Sequence, residues 1–215
     1  GRFAEAAAEF DRSLRAAPDG PLADHALANL AAAKVALNEP DEAAEAVGRL
    51  ETRSPDSPAL PPVRLRLAEA FAEAGDWSKA VEQFRPLAES TAPQVPADLK
   101  ERAELGLARA LAKRGDAAGA SKAFDALLAR ATDESKAAAL AYERARVVEA
   151  AGDVAAALAA YEQVETRAPK QDAAVFAALA RARLLAKDRP KEAADVLGRL
   201  LDGDEARARL KAIDQ

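Results

Sequence analysis

The stretch "GDVAAALAAYEQVETRAPK" at residues 152–170 repeats the pattern of "GRFAEAAAEFDRSLRAAPD" at residues 1–19. Each begins with glycine, carries a bulky apolar residue two positions later, and then places an alanine and an aromatic residue four positions apart. Because residues at i and i+4 lie on one face of a helix, each stretch predicts an amphipathic helix that ends near a proline. Reuse of one helix within a chain indicates a repeat architecture.

The alanine of this pattern recurs along the whole chain at intervals of 36 to 40 residues. A large apolar residue follows it by four positions, and a turn precedes it, formed by glycine or by "NEPD" (38–41) and "DRP" (188–190). The small side chain lets a neighbouring helix approach closely, and the large one fills the space beside it. The alanines are Ala6, Ala43, Ala80, Ala120, Ala157 and Ala193, and the large residues are Phe10, Val47, Phe84, Phe124, Tyr161 and Leu197.

A second amphipathic helix precedes each of these helices after the first, and it has its own small residue at Ala31, Ala68, Ala108, Ala145 or Ala180. The chain therefore reads as helix pairs, and a helical bundle would have no reason to repeat such a unit with fixed turns. With 50% hydrophobic but only 4% aromatic residues, the composition also favours an all-α fold. The predicted segments are a half repeat at 1–18, pairs at 22–54, 61–92, 98–131, 135–168 and 172–201, and a capping helix at 204–214.

The pattern Gly-x-aromatic-x-x-Ala-x-x-x-aromatic followed by Pro resembles the second helix of a tetratricopeptide repeat, and the preceding small-residue helix resembles the first. The units are longer than the usual 34 residues, as in extended bacterial repeats, and the first helices lack the family's tryptophan. The resemblance implies one right-handed α-solenoid of stacked helix-turn-helix repeats over residues 1–215. It also implies a non-enzymatic protein–protein interaction scaffold whose first helices line a concave groove for a peptide or protein segment.

Composition narrows the chemistry that this chain can perform. A net charge of −5 disfavours nucleic-acid binding, and the lack of cysteine excludes disulfides and zinc–thiolate sites. No apolar run is long enough to insert directly into a membrane, and no motif indicates a catalytic, cofactor or metal site. His25 is interpreted as a surface residue rather than a general base, and Trp77 as a packing residue rather than a binding anchor.

The candidate binding residues follow from the predicted groove. The residue after each first-helix alanine should face it, which gives Ala32, Glu69, Arg109, Arg146 and Arg181. Arg102 and Lys113 lie on the same helix face as Arg109, and Tyr142 lies outside the buried aromatic column. The candidate binding residues are therefore Arg102, Arg109, Lys113, Tyr142, Arg146 and Arg181. Three interpretations stay open: a site for an acidic peptide or a carboxylate terminus, a solvated face in which Glu69 pairs with Arg109 and Glu73 with Lys113, or a groove filled by other segments of the same protein.

Two alternative functions belong to other classes. The chain lacks methionine and begins inside a repeat, so we expect it to be a piece of a longer protein, in which it could recruit partners for an enzyme or for envelope assembly. Alternatively, it could self-associate through the N-terminal half repeat, whose Phe3, Phe10 and Leu14 would lack cover. The sequence assigns no compartment: the cytoplasm and the bacterial periplasm are both compatible with it.

Overall fold

The computed structural model describes residues 2–202, and every regular element in this range is an α-helix. The helices form two compact units whose boundary lies between Arg114 and Gly115, inside the pair predicted at 98–131. Residues 204–214, predicted as a capping helix, lie outside the described residues. The first unit contains α1 (Phe3–Ala16), α2 (Ala23–Ala36), α3 (Pro40–Arg53), α4 (Leu60–Glu73), α5 (Trp77–Ala88) and α6 (Ala97–Arg114). The second contains α7 (Ala117–Leu128), α8 (Glu134–Ala150), α9 (Val154–Arg167), α10 (Asp172–Leu185) and α11 (Pro190–Asp202).

Within each unit, consecutive helices pack against each other, and first helices of successive pairs also touch. In the first unit α4 contacts α2, α3, α5 and α6, and in the second α10 contacts α8, α9 and α11. This pattern is that of stacked helix pairs, in which each pair buries its apolar faces against its neighbours.

The turn between the two helices of a pair adopts the same backbone conformation at several positions. Gly75 adopts a left-handed φ of 78°, and the amide of Asp76 donates to the carbonyl oxygen of Phe71. Asp76 then accepts from the Lys79 amide and caps the next helix. Asn38 holds the equivalent left-handed position, with φ 60°, in a turn without glycine. These bonds satisfy the backbone groups that a helix end leaves unpaired, so each turn folds its pair antiparallel.

The predicted alanine columns form the centre of both units. Ala43, Ala80, Ala120 and Ala157 are fully buried, as are Ala31, Ala68, Ala108 and Ala145 of the first helices. The large residues beside them are also buried, except at the chain ends, where Phe10 is half-buried and Leu197 is exposed. Close packing extends to the helix backbone: a Cβ added at Gly106 of α6 would lie 2.4 Å from the ring of Phe84 in α5.

The N-terminal helix is better covered than the sequence suggests. Leu14 is only 3% exposed, because α1 packs against α2, whereas Phe3 is 45% exposed. The expectation that Leu14 lacks cover is therefore wrong, and Phe3 alone presents a large exposed apolar side chain on this helix. Self-association through this end stays a prediction.

Candidate functional site

Each unit has its own first-helix face, the surface formed by the first helices of its pairs: α2, α4 and α6 in the first unit, and α8 and α10 in the second. In the first unit, Arg102 of α6 donates to Glu69 of α4 across 2.7 Å. Arg109 and Lys113, further along α6, are exposed. The three basic residues predicted on α6 thus share one helix, and Arg102 is neutralised by an acid of the neighbouring first helix.

This pairing differs from the sequence expectation. Glu69 was expected beside Arg109 but pairs with Arg102, which lies two turns earlier on the same face of α6. Among the described residues, no ion pair joins Glu73 to Lys113, and both side chains are exposed. An exposed lysine without a carboxylate partner keeps its charge available to solvent.

The first-helix face of the second unit combines aromatic rings with a cation. The Tyr142 ring of α8 lies 5.9 Å from that of Tyr161 in α9 and 5.8 Å from that of Phe176 in α10, measured between ring centroids. The Arg146 guanidinium, one turn further along α8, lies over the Tyr142 ring at 6.0 Å from its centroid. A cation at this distance is attracted to the ring face, so Arg146 is held beside half-buried Tyr142 and Phe176.

Glu149, a candidate partner of Arg146, is engaged elsewhere. Glu149, three residues on, accepts a 2.6 Å hydrogen bond from the Tyr161 hydroxyl with one carboxylate oxygen and pairs with Arg183 through the other. Within residues 2–202, no carboxylate forms an ion pair with exposed Arg146. Burial and the adjacent Glu149 carboxylate both raise the pKa of Tyr161, so its hydroxyl stays protonated and keeps donating.

Arg181 does not belong to this face, which corrects the sequence prediction. Its side chain is 10% exposed and pairs with Glu162 at 3.0 Å and with Glu165 at 2.7 Å, both on α9. Burial raises the pKa of Glu165, although Arg181 opposes this effect. Buried in this way, the Arg181 guanidinium is not presented to a ligand on the first-helix face.

The prediction for Arg181 is wrong because it aligns α10 with the other first helices in the wrong register. Arg144 binds Asp125 and Arg181 binds Glu162, each across 19 residues, so these two arginines occupy equivalent positions 37 residues apart. The equivalent of fully buried Ala145 is then Ala182, 4% exposed, rather than Ala180. Applying the 37-residue interval of Ala108 and Ala145 to α10 identifies Arg183 as the counterpart of Arg146. Its side chain is 68% exposed.

A similar pairing of an arginine with the preceding second helix is found in the first unit. Arg64 of α4 is 6% exposed and binds Glu51 of α3 at 2.5 Å. The three arginines Arg64, Arg144 and Arg181 therefore join a first helix to the second helix before it, at three junctions within the two units.

Sequence reasoning also missed Phe176, Glu149 and Arg183 as members of the site. Glu149 and Arg183 are 34 residues apart, and Tyr142 and Phe176 are separated by the same distance along the chain. This shared spacing places an α8 residue beside an α10 residue on the same face. The 34-residue spacing is therefore the sequence signal from which both contacts, Glu149–Arg183 and Tyr142–Phe176, could be predicted.

Other chemistry is not indicated in the described part of the chain. Residues 2–202 contain no cluster of three or more histidine, cysteine or acidic side chains that could hold a metal ion. His25 is exposed on α2. No helix in the same range combines the length and apolarity that crossing a membrane requires.

Stacked helix pairs with charged and aromatic side chains on the first helices define a helical-repeat protein, an all-α solenoid. The chain belongs to the tetratricopeptide repeat family: one model described as "Tetratricopeptide repeat" matches residues 1–60 and 105–173, and a second with the same description matches 63–89. Repeats of this family are generally protein–protein interaction modules, and their fold is generally non-catalytic.

Solved structures show the same fold at low sequence identity. A Podosopora anserina protein described as a kinesin light chain, with nearly identical TPR-like repeats, is 20% identical over 92% of this chain and 99% of its own, with a TM-score of 0.60. MamA from Desulfovibrio magneticus RS-1 is 16% identical over 89% and 97%, with a TM-score of 0.61. BtubC from P. vanneervenii is 15% identical over 99% and 91%, with a TM-score of 0.59. No curated protein sequence matches the chain.

Proposed function

We propose that this chain is an interaction module that binds an acidic segment of a partner protein on the first-helix face of its second unit. Arg146 supplies the ionic contact, and Tyr142 and Phe176 supply the apolar surface beside it. The observation that carries the proposal is the state of Arg146: exposed, stacked on Tyr142 at 6.0 Å, and without an ion pair among the described residues.

Arginine suits this role because its planar guanidinium can hold a carboxylate through two parallel hydrogen bonds. Its position over a tyrosine ring restricts the side chain before binding, which lowers the entropic cost of ordering it. The ligand that fits is a segment with a carboxylate next to an apolar side chain. The carboxylate pairs with Arg146, and the apolar side chain contacts the exposed edges of the two rings.

The first unit offers a second group of cations on α6, where Lys113 is exposed and unpaired within the described residues, while Arg102 is held by Glu69. Among the described residues, no aromatic ring contact involves Arg102 or Lys113, so these two provide charge without an adjacent apolar anchor. We therefore assign the ligand contacts to the second unit.

The test is a fluorescence-polarisation titration with a fluorescein-labelled peptide that carries one glutamate beside a leucine, and with a copy in which lysine replaces the glutamate. Arg146→Glu should weaken binding of the acidic peptide about tenfold, because an ion pair becomes a repulsion. Arg167→Glu, the same charge change on exposed Arg167 of α9, should leave the affinity within about twofold.

Binding of the acidic peptide should also weaken as NaCl rises from about 0.05 M to about 0.5 M, because salt screens exposed charges. Three results would refute the proposal: no binding of the acidic peptide at about millimolar concentration, a preference for the lysine peptide, or equal effects of the two arginine substitutions.

A further inference from the structure

Glu149 occupies a position that controls the charge of the proposed site. Arg146 and Arg183 are equivalent residues on neighbouring first helices, and both are exposed. The Glu149 side chain is only 22% exposed and pairs with Arg183, not with Arg146. Of these two equivalent cations, Arg183 is therefore already neutralised.

The structure explains why Glu149 pairs with Arg183 and not with Arg146. Both arginines are within reach, since Arg146 precedes Glu149 by three residues on the same helix. The Tyr161 hydroxyl, on a side chain that is completely buried, binds the second carboxylate oxygen at 2.6 Å. A fixed donor on one oxygen directs the other, so the carboxylate is held on Arg183 and does not turn towards Arg146.

Building on the proposed function, we propose that Glu149, positioned by Tyr161, is a specificity-determining residue that limits the site to one available cation. The site then prefers segments with a single carboxylate at the contact point. A second adjacent carboxylate would meet the Glu149–Arg183 pair, and it would gain the Arg183 contact only by displacing Glu149, which repels it.

Two fluorescein-labelled peptides test this inference, one with a single glutamate beside a leucine and one with two adjacent glutamates beside the same leucine. Glu149→Gln removes the negative charge but leaves a carbonyl oxygen that can accept from Tyr161. We expect it to strengthen binding of the two-glutamate peptide about three- to tenfold and to change binding of the one-glutamate peptide less than about twofold.

Two further variants show whether Arg183 is responsible. Arg183→Gln added to Glu149→Gln should return the ratio of the two affinities to the wild-type value. Arg183→Gln alone should weaken binding of the two-glutamate peptide more than that of the one-glutamate peptide, because it leaves the Glu149 carboxylate without its cation beside the second glutamate. This single variant keeps the Tyr161–Glu149 bond, so it also serves if Glu149→Gln fails to fold.

The matched control is Glu192→Gln on α11, which removes one negative charge from an exposed side chain outside the first-helix face. It should leave the ratio of affinities unchanged. Equal strengthening of both peptides by Glu149→Gln, a similar effect of Glu192→Gln, or a gain in two-glutamate binding relative to one-glutamate binding in Arg183→Gln would overturn the inference while leaving the proposed function in place. If the wild type binds neither peptide, the proposed function fails and this inference fails with it.

Discussion

Replacing glycine by alanine at two helix positions of the first unit should change stability in opposite directions. Gly106 lies in α6, and a Cβ built on it would be 2.4, 2.5 and 2.9 Å from three ring carbons of Phe84. Gly48 lies in α3, and a Cβ built there would have nothing within 4 Å beyond the local backbone. The two positions share a chemical change and differ only in their surroundings.

The expected magnitudes follow from these distances. In a helix, alanine is more favourable than glycine by about 0.5–1 kcal/mol, so Gly48→Ala should stabilise the protein by roughly that amount. At Gly106 the same gain is opposed by overpacking, which typically costs about 1–3 kcal/mol. Phe84 is 3% exposed and cannot swing into solvent, so the upper part of this range applies. We expect a net loss of about 1–2 kcal/mol.

The measurement is urea and thermal unfolding followed by far-UV circular dichroism, on both variants and the wild type. The two variants should differ by about 2–3 kcal/mol in free energy of unfolding, with Gly106→Ala the lower. Phe84→Leu should rescue Gly106→Ala, because leucine lacks the ring carbons that the new methyl group meets. Equal stabilisation by both alanine substitutions, or no rescue, would show that α5 and α6 do not pack as closely as described.

Three further outcomes are expected. Above pH 10, the ordinary pKa of tyrosine, the free energy of unfolding of the wild type relative to Tyr161→Phe should fall by up to about 1.4 kcal/mol per pH unit. The raised pKa of Tyr161 keeps the phenol protonated in the folded state, whereas it ionises in the unfolded state. Parallel pH profiles of the two proteins would contradict this. Asn38→Gly should raise the melting temperature and Gly75→Ala should lower it, because both positions have left-handed backbones; for Gly75→Ala the free energy of unfolding should fall by about 1–2 kcal/mol. A melting temperature unchanged in both would refute the turn assignment. Asp153→Ala should cost about 1 kcal/mol in chemical denaturation, because Asp153 accepts from the Ala156 amide and caps α9, and a loss below about 0.3 kcal/mol would argue against the cap.

The repeat could be predicted from sequence because its spacing has a direct geometric meaning. An alanine and an aromatic residue four positions apart must share a helix face, and this is why buried Ala157 and Tyr161 were identified correctly. The boundary between the two units, after Arg114, had no comparable signal. It falls inside a predicted helix pair, where the sequence pattern continues unchanged.

The candidate site was harder to predict because its members depend on register. A shift of two residues on a helix rotates a side chain by about 200°, which separates buried Arg181 from exposed Arg183. The alternating "ARAR" sequence of α10 allows either alignment. The direction in which Glu149 turns could not be read from spacing at all, because it depends on the hydroxyl group of Tyr161, which comes from a different helix.

The buried arginines at the junctions have a consequence for how such a chain can be rearranged. Arg64 meets an acid on α3, whereas Arg181 meets two acids on α9, so each joint between neighbouring pairs has its own complementary chemistry. Where a rearranged pair brought such a guanidinium against a helix that lacks a carboxylate at the matching position, the unpaired buried charge would cost about 3–5 kcal/mol. The helix pairs are alike in backbone but not interchangeable, because the ion pairs at their junctions favour one linear order.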